Sequence, residues 1–237
     1  MPRFFTPPID GDRALITGED ASHITRSLRL RPGEELTLCD GSGFDYRARI
    51  LETGDPVVLE VLEKLPSVTE PRAAITLFQA LPKGDKMEFI IQKSVELGVR
   101  RIVPLMTSRC VSRPDPKSME KKLVRYRKIA AEAAKQSGRA VIPAVLPLVT
   151  LEQAAEMLPS RALVFYEGGG RRLAELVTPA DTEWAVFVGS EGGFSAEEID
   201  FLTGRGVARA TLGARILRCE TAPICGLSVM LSLLGDI

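Results

Sequence analysis

Two glycine-bearing segments near the C-terminal end hold the residues best suited to chemistry. The stretch "FVGSEGGFSAEEI", Phe187 to Ile199, reads as an apolar strand, a glycine-rich turn and an immediate helix start, and its turn carries Glu191. The stretch "LGARILRCETA", Leu212 to Ala222, also lies between a strand and a helix, and carries Arg215, Arg218 and Glu220. The single histidine of the chain is His23. A histidine triad or metal cluster is therefore not expected in the C-terminal three quarters. Proton acceptance there falls to Glu191 and Glu220.

The glycine turn matches neither GxGxxG nor GxxxxGK[ST], so the dinucleotide and phosphate-loop readings lose their main support. Glu191 would also repel the anion that free N–H groups at a helix start attract. A cationic or zwitterionic ligand with hydroxyls and a purine fits better, and S-adenosylmethionine is such a ligand. The competing reading is a tight turn that uses Gly192 and Gly193 for positive φ. The second segment can likewise be a helix entry with solvated charges. Two polar, glycine-containing loops at neighbouring strand ends would more naturally form one pocket, since ligands of open parallel sheets bind beyond the carboxyl ends of the strands.

The elements that must position these loops alternate. After the Pro-, Ser- and Thr-containing stretch PSVTEPR, short apolar strands (AAITLFQAL, RRIVPLM, IPAVLPL, RALVFYE, EWAVFVG, ARATLG) are each followed by a helical pattern. Asp85 with Glu88, Thr150 with Gln153, and Ser195 with Glu198 have the spacing of helix caps, and Gly98 and Gly138 stand where helices should stop. One long basic helix is predicted over about Lys117 to Ser137, and an apolar one, APICGLSVMLSLLG, closes the chain. The pattern predicts an α/β fold with a parallel sheet covered by helices on both faces. Residues 1–68 read instead as β-rich, with GSG between ELTLCD and FDYRARILE as a hairpin signal.

Composition adds exclusions. The chain has 237 residues, 45% apolar and 26% charged, as for an ordinary globular protein. No signal peptide or membrane-spanning run is visible. Cys39, Cys110, Cys219 and Cys225 form no CxxC pair, so a cytoplasmic protein with reduced thiols and no metal is expected. The net charge is zero, yet residues 83–139 hold fifteen Lys/Arg against six Asp/Glu. That run is either a solvated helix face or a surface for a polyanion.

Taken together, "QALPKGDKME", "VELGV", "EAAKQSGR", "VGSEGGFSAEE" and "LGARILRCETA" resemble the RsmE-type family of SPOUT-class methyltransferases, which methylate uridine N3 in small-subunit ribosomal RNA. "HITRSLRL" followed by "PGEELTLCDGSG" resembles that family's PUA-like β-barrel. The resemblance covers essentially the whole chain. It implies a PUA-like, RNA-binding β-barrel over residues 1–68, a trefoil-knotted methyltransferase domain over 73–237, a homodimer, and S-adenosylmethionine held by the knot loops. The cofactor residues it implies are Phe165, Glu167, Gly189, Ser190, Glu191, Gly192, Leu212, Gly213, Ile216, Leu217, Arg218, Thr221 and Ala222. The chain departs from the family pattern in two places: Ser190 stands where the glycine loop has proline, and Cys219 stands where the later loop has threonine.

Uracil N3 lies on the Watson–Crick edge, so the target base must be unpaired or flipped. On this reading Glu191 and Glu220 are candidate bases, Arg218 stabilises the uracil anion, and Arg3, His23, Arg26, Arg29, Lys83, Lys86, Lys93, Arg109, Arg113 and Arg139 contact RNA. His23 has a second reading as a hydrogen-bonded structural residue. Two other functions remain open: a SPOUT methyltransferase with another target atom, and an RNA-binding assembly factor that has lost catalysis.

Overall fold

The computed structural model describes all 237 residues. Its chain divides into two compact units, Met1–Glu70 with Ala134–Ile142, and Pro71–Ala133 with Pro143–Ile237.

The first unit is a curled five-stranded sheet of β1 (Arg3–Phe5), β2 (Arg13–Ile16), β3 (Glu35–Cys39), β4 (Phe44–Glu52) and β5 (Val57–Pro66), in the order β1-β3-β4-β5-β2. The pair β1–β3 is parallel and the others are antiparallel. The GSG turn joins β3 to β4 with Gly41 and Gly43 both at positive φ, as the hairpin signal requires. Along β4, Tyr46, Ala48 and Ile50 are buried while Arg47 and Arg49 are not, the two-residue period of a sheet with one wet face. Ile24 completes this core from a π-helical turn, His23–Ser27, that continues α1 (Gly18–Ser22). The segment Ala134–Ile142 joins the unit because Glu70 holds it. The Glu70 carboxylate accepts from the Arg139 guanidinium at 2.6 Å and from the N–H groups of Ala140 and Val141 at 2.9 and 3.1 Å. Lys135 adds an ion pair to Asp20 at 3.0 Å. A linear division of the sequence near residue 70 does not anticipate this excursion.

The second unit is a parallel sheet. Its strands are β6 (Ala74–Ala80), β7 (Arg101–Met106), β8 (Ala144–Val145), β9 (Val149–Thr150), β10 (Ala162–Phe165), β11 (Arg171–Arg172), β12 (Glu183–Val188) and β13 (Ala208–Thr211). They run β11-β13-β10-β12-β6-β7-β8, with β9 also on β7, and every pairing is parallel. Register sets Leu163, Val186, Leu77 and Ile102 in one row across four strands, and Val164, Phe187, Phe78 and Val103 in the next. Successive rows point to opposite faces, and all eight residues are buried, so the sheet is covered on both sides. The second row packs on α4 (Leu151–Ala155) and α6 (Ala196–Gly204) through Leu151, Ile199 and Leu202. Within it Phe78 and Phe187 stack at 4.6 Å. The remaining helices are α2 (Lys86–Glu96), α3 (Pro116–Gln136), α5 (Leu173–Leu176) and α7 (Thr221–Leu234), and α2 touches α7.

Two of the three predicted caps form as complete capping boxes, Thr150 with Gln153 and Ser195 with Glu198. The third does not. Asp85 sits at φ −95°, ψ 7° with no side-chain cap bond, and Glu88 is drawn away to Arg125 at 2.6 Å. Gly98 does end α2, at φ +101°.

Candidate functional site

The carboxyl ends of the adjacent strands β13, β10 and β12 open into one cavity of about 420 Å³, a volume within the range of small-molecule sites. Both glycine-bearing loops contribute to it. Phe165 and Glu167 come from the end of β10, Gly189, Ser190 and Glu191 from the end of β12, and Leu212, Gly213, Ile216, Leu217, Arg218 and Ala222 from the loop after β13. Gly192, Thr221 and Glu220 are expected site residues that do not line the wall. Tyr166, Val188, Gly193, Arg215 and Cys219 line it without having been singled out as ligand contacts, and so does Lys86.

Backbone geometry explains the glycines, with one correction. Gly193 has φ +65°, and a Cβ there would lie 2.6 Å from Oε1 of Glu167. Gly192 is not at positive φ. It is small because Arg109 crosses it: a Cβ would meet the Arg109 Cβ at 3.0 Å and its carbonyl oxygen at 3.2 Å. Arg109 also donates from its guanidinium to the Gly192 carbonyl at 3.1 Å. Ser190, in the place of the family's proline, lies 3.5 Å from the Arg109 carbonyl oxygen, to which its hydroxyl donates. Behind Phe165, Gly226 of α7 leaves room for the ring, which a Cβ there would overlap.

The charged centre of the site is a triad. Lys86 Nζ lies 3.0 Å from Glu191 and 3.2 Å from Glu220. Glu191 also accepts from the Lys83 backbone N–H at 3.1 and 3.3 Å. The carboxylate in the glycine turn thus faces the start of α2, not the space a phosphate would need. Burial pushes the Glu191 pKa up, but hydrogen bonds from its own N–H, Lys86 and Lys83 outweigh it and the net shift is downward. Glu220 behaves alike: burial raises it, while its own N–H, the Cys219 thiol and Lys86 bring it below the ordinary value. Hydrogen bonds to Glu191 and Glu220 raise Lys86 in turn. Cys219 Sγ sits 3.2 Å from Glu220. Burial first, then the bond to Glu220 and the charge of Glu191, push its thiol up to about 12. It therefore acts as a donor in the threonine's place and is no nucleophile at neutral pH.

Arg218 is exposed and makes no side-chain hydrogen bond or ion pair, while its carbonyl accepts from Thr221 and Ala222 at 2.9 Å. Lys86, not Arg218, is the partner of Glu220.

The residues expected at RNA divide. Lys83, Arg109, Arg113, His23, Arg26 and Arg29 are exposed, and Arg29 has φ +55°. Arg113 donates to the Ser108 carbonyl at 2.8 Å, and His23 packs edge-on to Phe4 at 6.0 Å. Lys93 is paired with Glu96 at 2.8 Å. Two expectations need correcting. Arg139 is 2% exposed and committed to Glu70, and Arg3 is half-buried in a two-point pair with Asp45 at 2.6 and 2.9 Å. Reaching a phosphate would leave a buried carboxylate unpaired in each case. Lys86 likewise points into the cavity.

Known proteins resemble this chain in sequence and fold. A family model described as RNA methyltransferase domain matches residues 69–231, and one described as RNA methyltransferase PUA domain matches residues 16–62. Ribosomal RNA small subunit methyltransferase E of Bacillus subtilis is 33% identical over 225 residues, covering 91% of this chain and 88% of that protein. The crystal structure of a ribosomal RNA small subunit methyltransferase E from Neisseria gonorrhoeae, bound to S-adenosyl methionine, superposes with a TM-score of 0.88 at 34% identity, covering 98% of each chain. A methyltransferase structure from Legionella pneumophila, in complex with bound cofactor SAM, gives 0.85 at 33% identity, covering 97% of this chain and 96% of that one. The chain belongs to the RNA methyltransferase family that includes ribosomal RNA small subunit methyltransferase E.

Proposed function

We propose that this chain transfers the methyl group of S-adenosylmethionine to N3 of a uridine in small-subunit ribosomal RNA. One observation carries the reading: the two loops that resemble the family's meet in a single cavity, with carboxylates and an uncommitted arginine at its wall. The cavity chemistry suits the cofactor. Its walls pair apolar surface from Phe165, Leu212, Ile216 and Leu217 with the carboxylates of Glu167 and Glu191, as a molecule with an aromatic base, hydroxyls and positive charge requires. When bound, the cofactor supplies the electrophilic methyl carbon on a sulfonium.

The chain's own residues supply position and charge. The N3–H proton passes to a carboxylate, Glu191 or Glu220. As the N3–carbon bond forms, the carbon–sulfur bond breaks, and the electron pair leaves with sulfur as a neutral thioether. Negative charge that develops on the uracil oxygens meets the free guanidinium of Arg218. Ser190 and Cys219 do not argue for a dead enzyme, since each makes a hydrogen bond within the site.

In this reading residues 1–68 bind RNA and residues 73–237 carry the transfer. The chain acts as a cytoplasmic homodimer, and its C-terminal backbone is knotted. Support for the dimer is two exposed apolar side chains on helices that touch: Phe89 on α2 and Val229 on α7 are 45% and 42% exposed. The deciding experiment is mass spectrometry of small-subunit ribosomal RNA nucleosides from cells with and without the gene. Loss of 3-methyluridine supports the proposal, and an unchanged nucleoside profile overturns it.

A further inference from the structure

Lys86 breaks a local rule. It is the first residue of α2, where the positive end of the helix dipole disfavours a cation, and Asp85 before it makes no side-chain cap. The compensation is tertiary. Glu191 comes from the loop after β12 and Glu220 from the loop after β13, and one ammonium nitrogen contacts both, at 3.0 and 3.2 Å. Two carboxylates that share a site repel one another unless a cation stands between them. The other charged or titratable groups at this point are the Cys219 thiol, 3.8 Å from the ammonium, Glu167, Tyr166, Arg215 and Arg218 on the cavity wall, and Lys83 and Asp85 just before Lys86 in the chain. None of these takes the place of Lys86 between the two acids.

We propose that Lys86 is a positioning residue of the methyl-transfer site: its ammonium pins the glycine loop and the loop after β13 to the start of α2 and cancels the repulsion between their carboxylates. The inference rests on the methyltransferase reading above. Lys86 is not the base, because both partners favour its protonated form. Nor is it a phosphate contact, because its charge is spent inside the cavity. It assembles the pocket before a ligand arrives and keeps two acceptors in fixed positions.

The test uses the full chain as wild type, Lys86→Met and Lys86→Arg. Lys86→Gln serves if the methionine variant does not fold, with the same expectation. In the ligand-free protein, carboxyl carbons of labelled glutamates are titrated by NMR, with Glu191→Gln and Glu220→Gln to assign them. In Lys86→Met at least one of the two should titrate about one pH unit higher or more, as for acids left without their cation. The S-adenosylmethionine dissociation constant should rise about tenfold, the equivalent of one unit of lost charge preference. The acid limb of single-turnover methyl transfer should move up with the carboxyl titration. Lys86→Arg should restore most of all three. The slope of RNA affinity against salt should not change, whereas loss of a phosphate contact lowers it by roughly 0.7–0.9. Unmoved carboxyl titrations in a folded Lys86→Met overturn the proposal, and so does a salt slope that falls by a full contact with cofactor affinity unchanged. A wild-type chain that binds no S-adenosylmethionine overturns the methyltransferase reading and the catalytic half of the proposal with it, even where the carboxyl titrations move as expected.

Discussion

Arg218, like Arg215, is a cation at the cavity wall whose side chain makes no hydrogen bond or ion pair. Glu220, two residues on, is already paired with Lys86 at 3.2 Å. An arginine kept free in this way contributes more in the transition state than in the resting enzyme. Arg218→Ala should lower kcat by roughly 10²–10³, the effect of losing one preorganised donor, while dissociation constants for cofactor and RNA shift much less. Single-turnover kinetics at saturating S-adenosylmethionine, with calorimetry on the same variant, checks this. A loss of cofactor affinity with full recovery of rate at saturation would count against it. The triad also sets a pH dependence. Glu191 and Glu220 titrate below their ordinary values, so their contribution to loop stability is present above the ordinary carboxylate pKa, about 4.3, and is lost as pH falls through the lowered values. Lys86 is raised, so its contribution is present below the ordinary lysine value, about 10.4, and is lost only as pH rises through a still higher one. The melting temperature of Glu191→Gln should therefore fall below that of wild type at neutral pH, and the gap should narrow as pH falls below the ordinary carboxylate value, about 4.3, and close once pH has passed the lowered one. A gap that persists unchanged in acid would show that the side chain acts through packing instead. Sequence reading singled out Glu191, Glu220 and Arg218 because their residue types declare their chemistry. Lys86 was legible only as a charge, because its partners lie 105 and 134 residues further along the chain.

At the scale of elements, local signals were read correctly where their partners are local. The capping boxes of α4 and α6 span three residues each and formed as read. The Asp85 signal failed because a distant Arg125 competes for Glu88. The packing of α7 shows a second kind of hidden constraint. Gly226 looks like a poor choice for a helix interior, yet it is the residue that admits the Phe165 ring. Gly226→Ala should gain helix propensity and still lose stability, by about 1–3 kcal/mol, because the Phe165 ring must move. The ring's available direction is toward the cavity it lines, so cofactor affinity should fall as well. Thermal melts and calorimetry measure the two losses separately, and a variant more stable than wild type would refute the account. In the first unit, Arg139 helps to hold the segment Ala134–Ile142 through its pair with Glu70. With side chains 3% and 15% exposed, the Arg139–Glu70 pair is of the kind whose one-sided removal costs about 3–5 kcal/mol. Arg139→Ala should show that loss in urea denaturation. If stability holds and only RNA affinity drops, the residue contacts RNA after all.

For the whole molecule, the alternation of strands and helices was enough to indicate a parallel sheet, because parallel strands need crossovers and the helical patterns supplied them. The order β11-β13-β10-β12-β6-β7-β8 was not accessible from that alternation. The central strands β10, β12, β6 and β7 are largely apolar on both faces, so the pattern fits many orders equally well. The division into units was hidden for a related reason: α3 reads as one uniform basic helix, yet its last residues group with the first unit. The strand order has a consequence for synthesis. β6 and β7 pair early, but the other edge of β6 waits for β12, whose first residue, Glu183, follows Ala80 by about 100 residues. At bacterial elongation rates of roughly 5–20 residues per second, that delay lasts on the order of 5–20 seconds. Throughout it a nascent chain presents an apolar, unpaired strand edge, the feature that invites association between chains. Ribosome-stalled chains ending before Glu183 should be readily cleaved by protease and prone to co-aggregation, and chains with Thr211 clear of the exit tunnel should resist both. Equal protection at the two lengths would mean that β6 is shielded by something other than its final neighbour.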